Sequence, residues 1–257
     1  MARVTASEHL FVVTGASRGL GAAMAEQLLL PGHRLLCISR RESNALAAVA
    51  ASRNVALEQW TADLAFAAAL AERLQAWLGD MDGAAFASAT LINNAAMLTR
   101  IAPLAESDAA ELAMAMRINL EAPMLLTAAF LNATVRWPGA RRVLNISSGL
   151  GRRAMASQAP YCAAKAGLDH LTRCVALDEA LRPNGARVVS IAPGVIDTDM
   201  QAHLRAADPA GFPDQANFKQ LKANGQLTSS ADAASRLLAY LARADFGSTP
   251  VADVREA

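Results

Sequence analysis

Tyr161 and Lys165 stand four residues apart, and Ser148 precedes the tyrosine within the same run, SSGLGRRAMASQAPYCAAK. Residues four apart on a helix share a face, so this spacing places an ammonium one turn from a phenol. A cation there favours the phenolate and draws the tyrosine pKa down from about 10 towards the working pH, as a general acid or base requires. The serine hydroxyl is a third group, able to hold a carbonyl oxygen. A Tyr-x-x-x-Lys pair alone describes many solvated helix faces. Its surroundings decide whether it does chemistry.

Such side chains need a scaffold, and the chain supplies one in order. The apolar run Leu10-Phe11-Val12-Val13 leads into Thr14-Gly15-Ala16-Ser17-Arg18-Gly19-Leu20-Gly21, which opens the apolar stretch Ala22 to Leu30. Strand, glycine turn, helix is the order of a dinucleotide site: glycines allow the backbone close to a pyrophosphate, and the helix N-terminus offers it unpaired N–H groups. The spacing departs from G-x-G-x-x-G, with three residues between the first two glycines. Apolar strand candidates recur at 10–14, 34–39, 55–60, 88–93, 142–147 and 186–192, with alanine-rich helical stretches between them. This alternation predicts an α/β fold: a single doubly wound parallel sheet with helices on both faces. No repeat or linker divides residues 1–257, which read as one domain. After Pro193-Gly194, residues 197–228 turn polar and gain prolines and glycines before a helix at 230–243. A loop and helix region covering the substrate is expected there.

Charge argues for the cofactor. In dinucleotide folds an acidic residue ending the second strand binds the ribose 2′-hydroxyl, whereas arginine accommodates a 2′-phosphate. Here Leu35-Leu36-Cys37-Ile38 is followed by Ser39-Arg40-Arg41, and Arg18 lies in the glycine turn. The guanidiniums of Arg18 and Arg40 can converge on a 2′-phosphate, so NADP(H) is expected, with Arg41 an exposed turn residue. The net charge of +1 and the lack of a Lys/Arg-rich run argue against a nucleic-acid partner. Cys37, Cys162 and Cys174, odd in number and widely spaced, fit a reducing compartment, and the cytoplasm is expected. His9, His33, His170 and His203 lack metal-ligand spacing, so no metal is expected. No apolar run reads as long enough to span a membrane, and no membrane partner is expected.

Taken in order, Thr14 to Gly21, Asn93-Asn94-Ala95-Ala96, Asn119, Ser148, Tyr161 with Lys165, and Pro193-Gly194 resemble the stations of the short-chain dehydrogenase/reductase family over essentially the whole chain. Ala96 stands where that family usually has glycine and adds a methyl group near the cofactor. The resemblance implies a Rossmann fold and an NADP(H)-dependent oxidoreductase acting between CH–OH and C=O. It assigns Tyr161 as proton donor and Ser148 as the group polarising the substrate oxygen. Lys165 would lower the tyrosine pKa and bind the nicotinamide ribose, and Asn119 would hold a water of the proton relay. It further implies cofactor contacts from Gly15, Ser17, Arg18, Gly19, Leu20, Gly21 and Arg40. Asp63 and Leu64 would touch adenine, and Asn94 and Ala95 its ribose. Pro193, Gly194, Ile196, Thr198 and Met200 would border the nicotinamide. A homodimer or homotetramer through the helices of Asn119 and Tyr161 is also implied.

Within the family, Ala192 to Gln201 (APGVIDTDMQ), Gln220 to Leu227 (QLKANGQL), Arg236-Leu237-Leu238 and Asp245-Phe246 are similar to the sepiapterin reductase branch. The chain ends Ser248-Thr249-Pro250-Val251-Ala252-Asp253-Val254 rather than in a glycine-rich segment. This resemblance places Asp253 as the carboxylate gripping a pterin guanidino edge through paired hydrogen bonds. Substrate contacts would then come from Ser148, Tyr161 and Asp253, with hydride passing to a carbonyl beside another carbonyl or an imine-like centre. Reductases of benzil-like vicinal diketones are resembled equally well. A 3-oxoacyl carrier-protein reductase is weakened by the tail and by the absence of a basic docking run from this chain. A non-catalytic NADPH sensor or scaffold is opposed by the intact Asn119, Ser148, Tyr161 and Lys165.

Overall fold

Strands that are apolar at consecutive positions cannot lie on a sheet with one wet face; they must be covered on both sides. Leu10, Val12 and Val13, Leu35 to Ile38, Leu91 and Ile92, Val143 and Leu144, and Val188 to Ile191 are all buried. A computed structural model, describing residues 8–256, arranges them in one seven-stranded parallel sheet of order β3-β2-β1-β4-β5-β6-β7. The strands are β1 (Glu8–Thr14), β2 (His33–Ser39), β3 (Ala56–Thr61), β4 (Phe86–Asn93), β5 (Ala140–Ile146), β6 (Arg187–Ala192) and β7 (Val251–Asp253). The six expected strands are present with ends displaced by one or two residues. β7 was not anticipated: three residues carry no periodicity, and only pairing of Ser190 to Ala192 with Val251 to Asp253 defines it.

Helices cover both faces. On one side α1 (Gly19–Leu28) and α9 (Ser230–Ala242) set Met24, Leu28, Leu237 and Leu241 against Val13, Ile92 and Leu144. On the other, α3 (Ala67–Gly79) and α5 (Ala122–Ala133) set Leu70, Leu74, Leu126 and Phe130 against Leu10, Val12, Leu91 and Val143. The direction of winding reverses at β1, between β2 and β4, which opens a crevice beyond the strands' carboxyl ends. α2 (Asn44–Arg53) links β2 to β3, and α6 (Ala159–Ala180) links β5 to β6.

One helix differs from the sequence expectation. α4 (Ala109–Met116), a π-helical turn at Arg117–Glu121 and α5 form one continuous helix, Ala109–Ala133, long and apolar enough by length and composition to cross a membrane. The segment escapes notice because charged residues punctuate it; here Ala122, Leu126 and Phe130 pack on the sheet. Residues 197–228 form α7 (Asp199–Ala206) and α8 (Gln215–Ala223) with a small core of their own, in which Leu204, Phe212 and Phe218 meet Ile101, Leu98 and Met155. Phe212 and Phe218 stack at 5.7 Å between ring centres.

Candidate active site

Ser148 ends the stretch after β5, and Tyr161 and Lys165 lie on the first turns of α6, started by Pro160 near its N-terminus. The Ser148 hydroxyl accepts the Leu150 N–H at 3.1 Å, which fixes its oxygen and leaves its proton free to donate. Lys165 is buried and donates from Nζ to the Ile146 carbonyl at 2.7 Å; the same nitrogen stands 5.7 Å from the Tyr161 ring centre. Burial pushes the Tyr161 phenol up to about 12, against the opposing effect of the Ser148 hydroxyl. Burial likewise lowers Lys165 to about 8, with the Asp169 carboxylate acting the other way. The expected depression of the phenol is therefore absent here. Loss of water outweighs the Ser148 hydroxyl at the phenol and the Asp169 carboxylate at the ammonium.

Asn119 sits within the π turn, whose Ala122 N–H bonds back to the Arg117 carbonyl. Widened turns of this kind re-aim a single side chain. Asn119 is fully buried; its Oδ1 accepts from the Met97 N–H at 2.9 Å and its Nδ2 donates to the Met97 carbonyl at 2.8 Å. It thereby clamps the loop after β4 to the helix facing α6.

The glycine turn follows β1. Gly15 and Gly19 have φ of +70° and +56°, and a Cβ on Gly21 would come 2.2 Å from the Gly15 carbonyl oxygen. Only glycine keeps this turn flat against the start of α1. The Arg18 side chain does not cap α1, so its first N–H groups remain for an anion. Thr14 Oγ1 accepts from the N–H groups of Asn94 (3.0 Å) and Ala95 (3.1 Å), and Asn94 Nδ2 donates to the Thr14 carbonyl at 3.0 Å. Ala96 lies outside the left-handed region, so its methyl group adds no backbone strain. Arg40 is exposed at the end of β2, while Arg18 Nη1 meets Asp199 Oδ2 of α7 at 2.7 Å. Asp63, after β3, caps a short turn through the Ala65 N–H at 2.9 Å, with Leu64 buried behind it.

Residues 9–209 match the family model described as short chain dehydrogenase. The chain belongs to this family. The benzil reductase ((S)-benzoin forming) of Bacillus cereus is 35% identical over 218 residues, covering 85% of this chain and 88% of that protein. The sepiapterin reductase of Xenopus tropicalis is 35% identical over 212 residues, 78% of this chain and 79% of its own length. The solved structure of a Burkholderia vietnamiensis short-chain dehydrogenase/reductase aligns with a TM-score of 0.65 at 37% identity, covering 97% and 98% of the two chains.

In this short-chain dehydrogenase, Pro193, Gly194, Ile196, Thr198 and Met200 run from β6 into α7, and Thr198 approaches the glycine turn: its Cγ2 lies 3.8 Å from where a Gly19 Cβ would stand. Asp253 ends β7 beside Ala192, with both carboxylate oxygens already engaged by Arg255. Sequence reasoning missed several residues that hold this dehydrogenase's site together. A buried ladder runs from Thr127 through Asn93 (3.1 Å) and Asn145 (2.9 Å) to Thr172 (2.9 Å), tying α5, β4, β5 and α6. Asp169 is buried one turn beyond Lys165; it accepts from Ser190 at 2.6 Å and from Arg152 Nε at 3.3 Å. Ser157, with φ of +59°, donates to the Gly211 carbonyl and so fastens the α7–α8 link to the start of α6. The i, i+4, i+8 spacing of Tyr161, Lys165 and Asp169 was the one signal that pointed to any of them.

Proposed function

We propose that this oxidoreductase is an NADPH-dependent carbonyl reductase acting on vicinal dicarbonyl compounds, with the carbonyl side chain of a pterin as a second substrate class. The observation that carries the reading is the convergence of Ser148, Tyr161 and buried Lys165 at one end of the sheet, beside a glycine turn fitted to a dinucleotide. When bound, the nicotinamide cofactor supplies the hydride. Ser148 donates its free hydroxyl proton to the substrate oxygen and holds it. Tyr161, protonated throughout the neutral range because burial raises its pKa, gives its proton to that oxygen as charge develops there. Lys165 carries positive charge below about pH 8 and stabilises the phenolate left behind. Gly15, Ser17, Gly19, Leu20 and Gly21 would receive the pyrophosphate, and Arg40 with Arg18 the 2′-phosphate. The Arg18–Asp199 pair is solvent-exposed, so it offers little resistance to that exchange. Asp63, Leu64, Asn94 and Ala95 would line the adenosine end.

A neighbouring carbonyl suits this arrangement, because it makes the reacting carbon more electrophilic without adding a charge to bind. The reading also includes a homodimer or homotetramer built on α4, α5 and α6. Loss of NADPH absorbance with purified protein and a panel of benzil, sepiapterin, isatin and acetoacetyl thioesters tests it. Turnover of benzil is expected. Consumption confined to acetoacetyl thioesters, or none at all, overturns it.

A further inference from the structure

The tail closes on the rim of the site. β7 pairs with the end of β6, with Asp253 opposite Ala192, and the Val254 N–H donates to the Ala192 carbonyl at 3.0 Å. Asp253 therefore stands directly beside the Pro193-Gly194 turn that leaves the carboxyl edge of the sheet. On its other flank, Arg152, four residues after Ser148, donates from Nη2 to the Ala252 carbonyl at 2.8 Å. The Asp253 side chain is 5% exposed, whereas that of Arg255 is 58% exposed. Arg255 Nε reaches Asp253 Oδ1 at 2.8 Å, its Nη2 reaches Oδ2 at 2.6 Å, and its backbone N–H adds a third bond to Oδ1 at 3.0 Å. The arginine stem crosses Gly194, its Cδ 3.9 Å from where a Cβ would stand.

We infer that Arg255 is a specificity-determining residue: its guanidinium occupies the Asp253 carboxylate and so competes with ligands that carry an amidine-like donor edge, making pterins secondary to neutral dicarbonyl compounds. The inference rests on the carbonyl-reductase reading above. A planar guanidinium matches a carboxylate in the same two-point manner as the adjacent ring N–H and amino group of a 2-amino-4-oxopyrimidine ring, but carries a full charge. It is also tethered two residues away, whereas an external ligand must give up its freedom of motion to displace it. A diketone without such donors does not compete for the carboxylate at all. The exposure of Arg255 makes the block removable, since the side chain has solvent to move into.

Titration of pterin fluorescence against the NADP⁺-loaded protein tests this in wild type, Arg255→Ala, Arg255→Gln and the double variant Arg255→Ala/Asp253→Asn. Benzil reduction is followed in parallel. Pterin is expected to bind about tenfold tighter in each single variant, the size of one charged hydrogen bond, and to lose that gain in the double variant. The ratio of pterin affinity to benzil kcat/KM should shift by the same factor. Unchanged pterin affinity in both folded single variants overturns the inference, as does a gain that survives Asp253→Asn or a parallel change for both ligands. Failure of the carbonyl-reductase reading shows separately, as a wild type that reduces no dicarbonyl compound, while the pterin titration still reports on Arg255.

Discussion

At the scale of single residues, the site is governed by burial more than by pairing. Tyr161 and Lys165 are displaced towards their neutral forms, to about 12 and about 8. Tyr161→Phe removes the proton that is transferred to the substrate oxygen. Turnover should fall by about 10²–10⁴, with NADPH affinity, read by fluorescence titration, close to wild type. Near wild-type turnover would remove Tyr161 from the mechanism. For Lys165 the sign follows from its lowered pKa: the ammonium exists below about pH 8 and is lost above it. The kcat/KM for reduction should therefore decline as pH rises through about 8, with the slope of one proton. Stability moves the opposite way. Between about pH 8 and the ordinary lysine value of 10.5, the unfolded chain binds more protons than the folded one. Folding stability contributed by this group thus rises with pH across that window, which a series of denaturant titrations reads. Ser148, Tyr161 and Lys165 were legible because they lie within one short run, and Asn119 was legible only through the resemblance to the family. The direction of the tyrosine shift was not, because water is excluded by β5, by the turn after it and by α6 together.

At the scale of elements, the glycine turn and the end of β2 form one surface, joined by the Gly15 N–H bond to the Ile38 carbonyl at 2.8 Å. Arg18 and Arg40 project from these two elements. Arg40→Ala should weaken NADPH binding about tenfold while leaving NADH little changed, since only NADPH presents a 2′-phosphate to a charged hydrogen bond. Arg18→Ala should act in the same direction. Equal losses for both cofactors would show that the arginines serve the shared part of the dinucleotide, or the fold. The Gly-rich turn and the apolar strands could be read from sequence because their signals lie within a few residues. The π turn at Arg117–Glu121 could not, because Asn119 is held by Met97, far away along the chain. The same is true of β7 and of the Asp253–Arg255 fork, whose meaning depends on which strand the tail joins.

For the whole molecule, the regular alternation of strands and helices made the doubly wound sheet legible; what the sheet does not absorb is an apolar surface on the outer helices. Met114 and Met116 on α4, Met124 on α5 and Leu177 on α6 are exposed, as is Leu181 just beyond it. These helices also carry Asn119, in the π turn, and Tyr161. A second copy covering them would bury apolar area and stiffen the elements whose relative position sets the catalytic geometry. Static light scattering of wild type should give at least twice the chain mass at micromolar concentration, and its Tm should rise with protein concentration. Leu177→Glu combined with Met124→Glu places two charges on that surface and should shift the mass towards one chain. Catalysis should fall with it, because α5 and α6 lose their outer support while every catalytic side chain remains. A wild type of single-chain mass with full turnover would show that the sheet and the Thr127–Asn93–Asn145–Thr172 ladder suffice to hold the site.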